Sequence, residues 1–165
     1  MQDLTEKNES GESADLERAT FGAGCFWGVE AAFRLVDGVA ETTVGFMGGS
    51  VPDPTYQEVC DGATGHTEVV DVRFDRSVVT YERLVGEFFA IADPTGGGCA
   101  QAGHERQYRL VIFYHSESQR KVAERLVRKE HRVDIAIEPA GPFYQAEEYH
   151  QQFYEKCGRT HSTLW

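Results

Sequence analysis

Strand-like and helix-like segments alternate along most of this chain, and this alternation limits its fold more than any other feature of the sequence. Residues 39–47 are rich in β-branched side chains and residues 66–74 alternate apolar with polar ones, which predicts two strands. Residues 27–36 and 80–93 have helical patterns, and the apolar run at 109–114 is typical of a buried central strand. Together the segments predict helices packed on a mixed sheet, in an α+β or α/β sandwich.

Further elements follow towards the C-terminus. Ser116, followed three residues later by Gln119, predicts a capping box for another helix. The apolar residues of that helix form a core stripe of Val122, Ala123, Leu126 and Val127. Residues 133–139 predict a strand, and residues 144–157 predict a closing polar helix. The order of the strands does not follow from these patterns.

Length and charge restrict the class of protein. The chain has 165 residues, enough for one domain with its own core and few for two. Its net charge of -11 argues against a nucleic-acid partner, because phosphate binding needs clustered Lys and Arg. No apolar run approaches the ~20 residues that span a bilayer, and the N-terminus has no apolar signal segment. We therefore expect a cytoplasmic protein without a membrane partner. It would comprise a disordered acidic segment over residues 1–17, one domain over 18–156 and a flexible tail over 157–165.

Cys25 is the first candidate for chemistry. It stands between glycines and directly before Phe26 and Trp27. The predicted change from strand to helix places it just before a helix N-terminus, where free N–H groups and the helix dipole favour a thiolate. The flanking Gly24 and Gly28 allow a ligand to approach the backbone closely. A buried structural cysteine beside core aromatics fits the same pattern, and spacing alone does not separate the two.

Glu68 favours the reactive interpretation of Cys25. The strand alternation puts it in phase with the apolar side chains of Val70, Val72 and Phe74. A carboxyl group on the buried face of a strand is expected to have a raised pKa, as a general acid near neutral pH requires. A frayed strand end that lets Glu68 reach solvent is the alternative. A thiolate, an acid and neighbouring aromatic side chains together are typical of a site for nucleophilic attack followed by protonation.

Six stretches of the chain form a specific combination: GCFWGVE, TTVGFMGG, PTYQEVCDGATGHTEVV, DPT, QYRLVIFYH and AEEYHQQFYEK. Together they resemble the peptide methionine sulfoxide reductase A family, from about Ala19 to Lys156. The resemblance implies an α+β two-layer sandwich of helices on a mixed β-sheet, around a split βαβ (ferredoxin-like) core. It makes residues 18–156 a single catalytic reductase domain.

The resemblance implies thiol-dependent reduction of methionine S-sulfoxide, protein-bound or free, to methionine. Cys25 matches the nucleophile, which becomes a sulfenic acid, and Glu68 matches the acid that protonates the sulfoxide oxygen. The aromatic matches are Tyr56 and Tyr108 for phenols that help to bind the oxygen, and Phe26 and Trp27 for the residues that hold the S-methyl group. A second cysteine then condenses with the sulfenic acid, and thioredoxin reduces the disulfide. The family needs no metal or organic cofactor, and we expect a monomer.

The chain departs from the family at two places. The usual active-site aspartate falls at Gly103, where His104 or Glu105 is the candidate substitute. Many members also carry a resolving cysteine on a C-terminal tail, and Cys157 is the candidate here, with Cys99 on a glycine-rich loop as its rival.

The four cysteines (Cys25, Cys60, Cys99 and Cys157) contain no CxxC pair, so a structural disulfide framework is not expected. For Cys60 we expect a buried core position.

Two other classes of function remain open. A binder of oxidised methionine would keep the aromatic residues and lose the acid machinery, and the residue at Gly103 favours it while Cys25 and Glu68 oppose it. A metal module is the second class, because three Cys/His pairs lie four to six residues apart: Cys60 with His66, Cys99 with His104, and Cys157 with His161. Structural zinc sites usually have closer CxxC-type spacing, and a structural role is expected for His66.

Overall fold

Six strands form one mixed sheet in this computed structural model, which describes residues 16–62, 64–92 and 109–157. The strands are β1 (Leu16–Ala23), β2 (Val39–Met47), β3 (Thr67–Asp75), β4 (Leu110–Tyr114), β5 (Ala136–Pro139) and β6 (Tyr144–Gln145). Their order across the sheet is β5-β4-β1-β3-β2-β6. Neighbouring strands are antiparallel except β4 and β5, which are parallel. The expected mixed sheet of an α+β protein is confirmed.

The described residues also form five α-helices and one 3₁₀ turn at Glu148–His150. The helices are α1 (Phe26–Phe33), α2 (Tyr56–Cys60), α3 (Tyr81–Ile91), α4 (Glu117–Lys129) and α5 (Phe153–Lys156). Apolar side chains of α1, α3 and α4 pack on one face of the sheet and form the larger core. A smaller cluster of Met47, Val69, Val111 and Phe113 lies on the other face, against Phe143.

The periodic segments follow the patterns that predicted them. The strand expected at 39–47 has the bounds of β2, and the helix expected at 80–93 contains α3. Thr80 caps α3 by accepting a hydrogen bond from the backbone of Arg83, and Asp93 lies outside the described residues. The predicted inner face of this helix is buried at Tyr81, Leu84, Val85 and Phe88, and at Ala92, the residue that follows α3. Apolar periodicity locates α3 because this helix buries one face, whereas β2 is indicated by its β-branched residues.

The predicted polar helix over residues 144–157 is wrong. The chain there forms the short strand β6, the 3₁₀ turn and the four-residue α5. Gln152 has φ +48°, in the left-handed region that interrupts a right-handed helix. Gln151 and Gln152 use their side chains to bond β2 and α1, so the polar pattern reflects contacts across the fold.

Two smaller expectations also need correction. Ser116 caps α4 by accepting from the Gln119 N–H at 3.2 Å, but the Gln119 side chain accepts from the N–H of His115, so the reciprocal capping box does not form. Cys60 is half-buried at the end of α2, not enclosed in the core, because that helix ends at the surface beside the exposed Asp61.

Several sequence predictions fall outside the described residues. The acidic segment lies there up to residue 15, and β1 begins at Leu16. The tail beyond Cys157 is also outside the described residues. So are the candidate site residues between positions 93 and 108, which are Cys99, Gly103, His104, Glu105 and Tyr108. Within the described ranges, no helix has the length and apolarity needed to cross a membrane.

Candidate active site

Cys25 is the N-cap residue of α1, at the point where β1 turns into the helix. Gly24 has φ +104°, which a residue with a side chain adopts only under strain, so glycine makes this turn possible. The Cys25 carbonyl accepts the N–H of Val29 at 3.3 Å, and its side chain forms no cap. The half-buried Cys25 therefore lies at the N-terminus of α1, as predicted.

Glu68 reaches the same turn from β3. Its Oε1 accepts the main-chain N–H of Phe26, the residue after Cys25, at 3.2 Å. Only 1% of Glu68 is exposed, so the prediction that it faces the interior is confirmed. Pairing of Glu68 with Phe46 on β2 fixes its position along the sheet. A buried carboxyl group thus lies next to the nucleophile candidate, where it can act on an atom bound to sulfur.

Aromatic side chains surround the N-terminus of α1. Phe26 is buried and packs against Phe46, with ring centroids 5.7 Å apart, and against Tyr56 at 6.1 Å. Trp27 is half-buried, 6.4 Å from Tyr56 and stacked on Phe153 at 4.0 Å with 11° between the rings. The structure therefore brings Phe26, Trp27 and Tyr56 together, as the sequence analysis predicted.

Helix α2 presents Tyr56 to this aromatic cluster, and its N-terminus contains a capping box. The Thr55 hydroxyl accepts the N–H of Glu58 at 3.1 Å, and the Glu58 carboxylate accepts the N–H of Thr55 at 2.9 Å. Our sequence analysis missed this helix, although Thr55 followed by Glu58 is the known signature. The cap fixes Tyr56 as the first helical residue.

His150 is a site residue that the sequence analysis did not identify. Its Nδ1 accepts the indole N–H of Trp27 at 2.9 Å. Its ring centroid lies 4.4 Å from that of Tyr56 and 5.4 Å from that of Phe26. Burial lowers the pKa of His150, and the nearby carboxylate of Glu147 opposes that shift. A histidine before two glutamines carries no periodic signal, so only the fold reveals these contacts.

The C-terminal segment is bound to α1 through Glu30, a carboxylate of which 1% is exposed. It accepts hydrogen bonds from the Gln152 main chain at 2.8 Å, the Gln152 side chain at 2.9 Å and the Thr42 hydroxyl at 2.7 Å. At the surface, Arg34 pairs with Glu155 at 2.6 Å. These bonds hold Phe153 and His150 against Trp27.

Gln151 joins the same segment to the sheet. Its side-chain oxygen accepts the N–H of Val44 at 2.9 Å, and its side-chain nitrogen donates to the carbonyl of Val44 at 3.0 Å. The Gln151 nitrogen also donates to the Ala146 carbonyl at 2.9 Å. The amide thereby bonds an edge residue of β2 as a neighbouring strand would.

Arg109 lies directly after Tyr108, which is outside the described residues. Its guanidinium donates to the hydroxyl of Thr67 at 2.8 Å and forms a bidentate pair with Glu138 at 2.7 and 3.0 Å. Thr67 precedes Glu68 on β3. Arg109 therefore links the start of β4, across the intervening strand β1, to the strand that carries the candidate acid.

Cys157 is exposed at the end of α5, and among the described cysteines none forms a disulfide. Within the described ranges, no three His, Cys, Asp or Glu side chains are grouped to hold a metal ion. Both ring nitrogens of His66 are engaged by the backbone, with the Gly49 N–H at 3.0 Å and the Val51 carbonyl at 2.7 Å. His66 therefore holds a glycine-rich loop in place.

Comparison with known proteins identifies the family. The family model described as peptide methionine sulfoxide reductase matches residues 17–163. The peptide methionine sulfoxide reductase MsrA of Methanothermobacter thermautotrophicus is 56% identical over 150 residues, 87% of this chain and 89% of that protein.

Two solved structures of Mxr1 from Saccharomyces cerevisiae are also similar. The reduced form has a TM-score of 0.72 and 34% identity, over 87% of this chain and 86% of that one. Mxr1 in complex with Trx2 has a TM-score of 0.55 and 28% identity, over 83% of this chain and 85% of that one. The match across residues 17–163, together with a relative more than half identical, shows that the chain belongs to the peptide methionine sulfoxide reductase family of oxidoreductases.

Proposed function

We propose that this chain reduces methionine sulfoxide to methionine, with Cys25 as the nucleophile and Glu68 as the proton donor. The observation that carries the proposal is the 3.2 Å bond between Glu68 Oε1 and the Phe26 N–H. It fixes a buried carboxyl group beside the residue that follows Cys25. Attack by sulfur and protonation of oxygen can therefore take place on one bound sulfoxide.

The first chemical step balances as a two-electron transfer. The Cys25 sulfur attacks the sulfoxide sulfur while Glu68 gives its proton to the sulfoxide oxygen. The oxygen then passes to the Cys25 sulfur as two bonds break, the sulfur–oxygen bond of the substrate and the transient bond between the two sulfur atoms. Methionine leaves with its sulfur reduced, and Cys25 becomes a sulfenic acid.

The aromatic residues explain how the substrate is held. In our proposal the rings of Phe26 and Trp27 hold the S-methyl group beside Cys25, and the packing of both rings against Tyr56 restricts the geometry of the sulfoxide. Tyr56 is the described phenol at this site, and Tyr108 would supply the second. We infer that the S epimer is the one accepted, protein-bound or free, as the family resemblance implies.

Recycling requires a second thiol. In our proposal Cys157 attacks the sulfenic acid, releases water and forms a disulfide with Cys25, and thioredoxin then reduces that disulfide. The solved complex of Mxr1 with Trx2 supports thioredoxin as the reductant. A cytoplasmic location agrees with a thioredoxin-dependent cycle, and Cys99 is the rival resolver.

Mass spectrometry after a single turnover tests the proposal. The reduced protein receives one equivalent of methionine sulfoxide without a reductant. We expect one equivalent of methionine and a protein lighter by two hydrogens, with Cys25 in a disulfide. Release of methionine by a Cys25→Ser variant, or no release by the wild type, would contradict the proposed reaction.

A binder of oxidised methionine remains the second candidate, since the family aspartate is replaced by Gly103. The two functions differ in turnover with dithiothreitol, which recycles a sulfenic acid or a disulfide without thioredoxin. Repeated turnover supports the reductase, whereas saturable binding without methionine release supports the binder.

The catalytic domain is proposed to span residues 18–156 around a split βαβ core. The strand order β4-β1-β3-β2 supports this core, as do the helices α1 and α3 that connect β1 to β2 and β3 to β4. In this arrangement each connected pair of strands encloses a third strand antiparallel to both.

A further inference from the structure

His150 contacts three of the aromatic residues that surround the proposed substrate site. Its Nδ1 accepts the indole N–H of Trp27, and its ring lies against Tyr56 and Phe26. Only 1% of the residue is exposed, so these contacts form without competition from solvent. One imidazole thus joins the substrate aromatics of α1 to the phenol of α2.

The bond with Trp27 determines the tautomer of His150. An indole N–H can only donate, so Nδ1 must be the unprotonated nitrogen and the neutral ring carries its proton on Nε2. Nε2 is buried and has no hydrogen-bond partner in the described part of the chain, with the Glu147 carboxylate 3.9 Å away. Burial lowers the pKa of His150, which agrees with a neutral ring.

Stacking alone does not fix the orientation of Trp27. Phe153 lies parallel to the indole at 4.0 Å, and parallel stacking limits tilt but leaves rotation within the ring plane weakly restrained. A directional hydrogen bond at the indole nitrogen removes that freedom. The acceptor at His150 Nδ1 therefore determines which edge of the Trp27 indole faces the proposed substrate site.

We propose that His150 is a positioning residue that orients Trp27 and supports Tyr56, and thereby sets the affinity of the site for the methyl sulfoxide group. The inference rests on the proposed function, because it assumes that Trp27 contacts substrate. His150 itself contacts no reacting atom in this proposal and acts through Trp27 and Tyr56.

Protonation of His150 would break its hydrogen bond with Trp27. A proton on Nδ1 turns the acceptor into a donor that faces the indole N–H, and the bond is lost. The groups around the ring are Trp27 and Phe26 from α1, Tyr56 from α2, Phe46 behind Phe26 on β2, and Tyr149 and Glu147 from its own segment. Of these only Glu147 carries a charge at neutral pH. As the pH falls towards the lowered pKa of His150, the KM for sulfoxide should therefore rise.

The test compares His150→Leu with His150→Asn, both in a Trp165→Phe background in which Trp27 is the only tryptophan. Leucine fills the space without an acceptor, and the asparagine oxygen can take the place of Nδ1. We expect His150→Leu to raise the KM by roughly three- to tenfold, as the loss of one buried hydrogen bond implies, with the saturating single-turnover rate changed less than about threefold. We expect His150→Asn to recover most of the affinity and the wild-type Trp27 emission spectrum.

The acid dependence supplies a readout that folding defects do not affect. The rise of KM at low pH should be present in the wild type and absent in His150→Asn, because asparagine does not titrate. His115→Asn is the matched control: this half-buried histidine bonds Thr20 at the far end of β4, and its loss should leave the KM and the emission unchanged.

The two proposals fail in different ways. The positioning role would be overturned by an unchanged KM in His150→Leu. It would also be overturned if His150→Asn had the same raised KM and the same emission shift as His150→Leu. A wild type that never releases methionine would overturn the proposed function, and the emission shift of His150→Leu, which needs no turnover, would still report whether His150 holds Trp27.

Discussion

Phe153 lies flat on Trp27, with ring centroids 4.0 Å apart and an angle of 11° between the rings. One ring belongs to the helix that begins beside Cys25, and the other belongs to the helix that ends beside Cys157. The stack therefore connects the proposed nucleophile to the proposed resolving cysteine. Movement of Cys157 towards Cys25 should disturb it.

This relationship predicts a fluorescence change on oxidation. In a Trp165→Phe variant, one equivalent of methionine sulfoxide without reductant should shift the emission of Trp27. We expect the disulfide, whose Cα atoms lie roughly 4.4–6.8 Å apart, to move α5 and with it the ring of Phe153. The measurement is emission against time, together with a thiol count. The shift should be absent when Cys157 is also replaced by Ser. A shift of full size in that variant would mean that the emission change does not come from a disulfide between Cys25 and Cys157.

Cys25→Ser should abolish reduction of methionine sulfoxide and leave the fold intact. A serine hydroxyl in the same N-cap position does not form the thiolate that the helix terminus favours. Methionine release is measured by chromatography, and folding by circular dichroism. Cys60→Ser is the matched control, since Cys60 is also half-buried, and it should keep wild-type activity. Near-normal activity in a folded Cys25→Ser protein would remove the covalent mechanism.

Glu68→Gln should slow sulfoxide reduction by about 10²-fold or more, the lower range for a positioned general acid. The glutamine side-chain oxygen can still accept the hydrogen bond from the Phe26 N–H. The loss of rate therefore measures the absence of the carboxyl proton and not the loss of this hydrogen bond. The deficit should shrink as the pH falls, because solvent supplies more protons to the oxygen. The pH profile of the single-turnover rate tests this, and a rate equal to wild type would assign the proton to Tyr56, Tyr108 or His104.

Cys157→Ser should still release one equivalent of methionine and then stop when thioredoxin is the reductant. Dithiothreitol should restore at least part of the turnover, because it is small enough to attack the sulfenic acid directly. The measurement is the steady-state rate of methionine release with each reductant, and the rates of Cys157→Ser are compared with those of Cys99→Ser. Full thioredoxin-dependent activity in Cys157→Ser, with loss in Cys99→Ser, would make Cys99 the resolver.

Glu30→Ala should destabilise the protein by about 2–4 kcal/mol, because it leaves the buried donors of Gln152 and Thr42 without their acceptor. Glu155→Gln, which weakens the exposed pair with Arg34, should change stability by less than about 1 kcal/mol. Urea unfolding measures both. Equal effects would mean that the buried bonds of Glu30 do not hold the C-terminal segment.

Periodicity predicted the parts of this fold that bury one face. The position of α3 follows from apolar spacing, that of β2 from its β-branched residues, and the burial of Glu68 from its phase with Val70 and Phe74. The C-terminal segment could not be predicted in this way, because His150 and Gln152 bond α1 while Gln151, which lies between them, bonds β2. Long-range hydrogen bonds of this kind leave no repeat in the sequence. The capping box at Thr55 does leave a local signature, Thr55 followed by Glu58, which predicts the start of α2.

The side-chain amide of Gln151 also has a consequence for how copies of this protein meet. In the described part of the sheet, β6 pairs with β2 only at Gly45 and Phe46, so the rest of β2 lies near an open edge. Such an edge is a template on which a strand from another molecule can add. Gln151 occupies the N–H of Val44 and shares the Val44 carbonyl with the Ala146 N–H, and so shortens the stretch open to a foreign strand. The glutamine that anchors the C-terminal segment would therefore also protect the protein against aggregation.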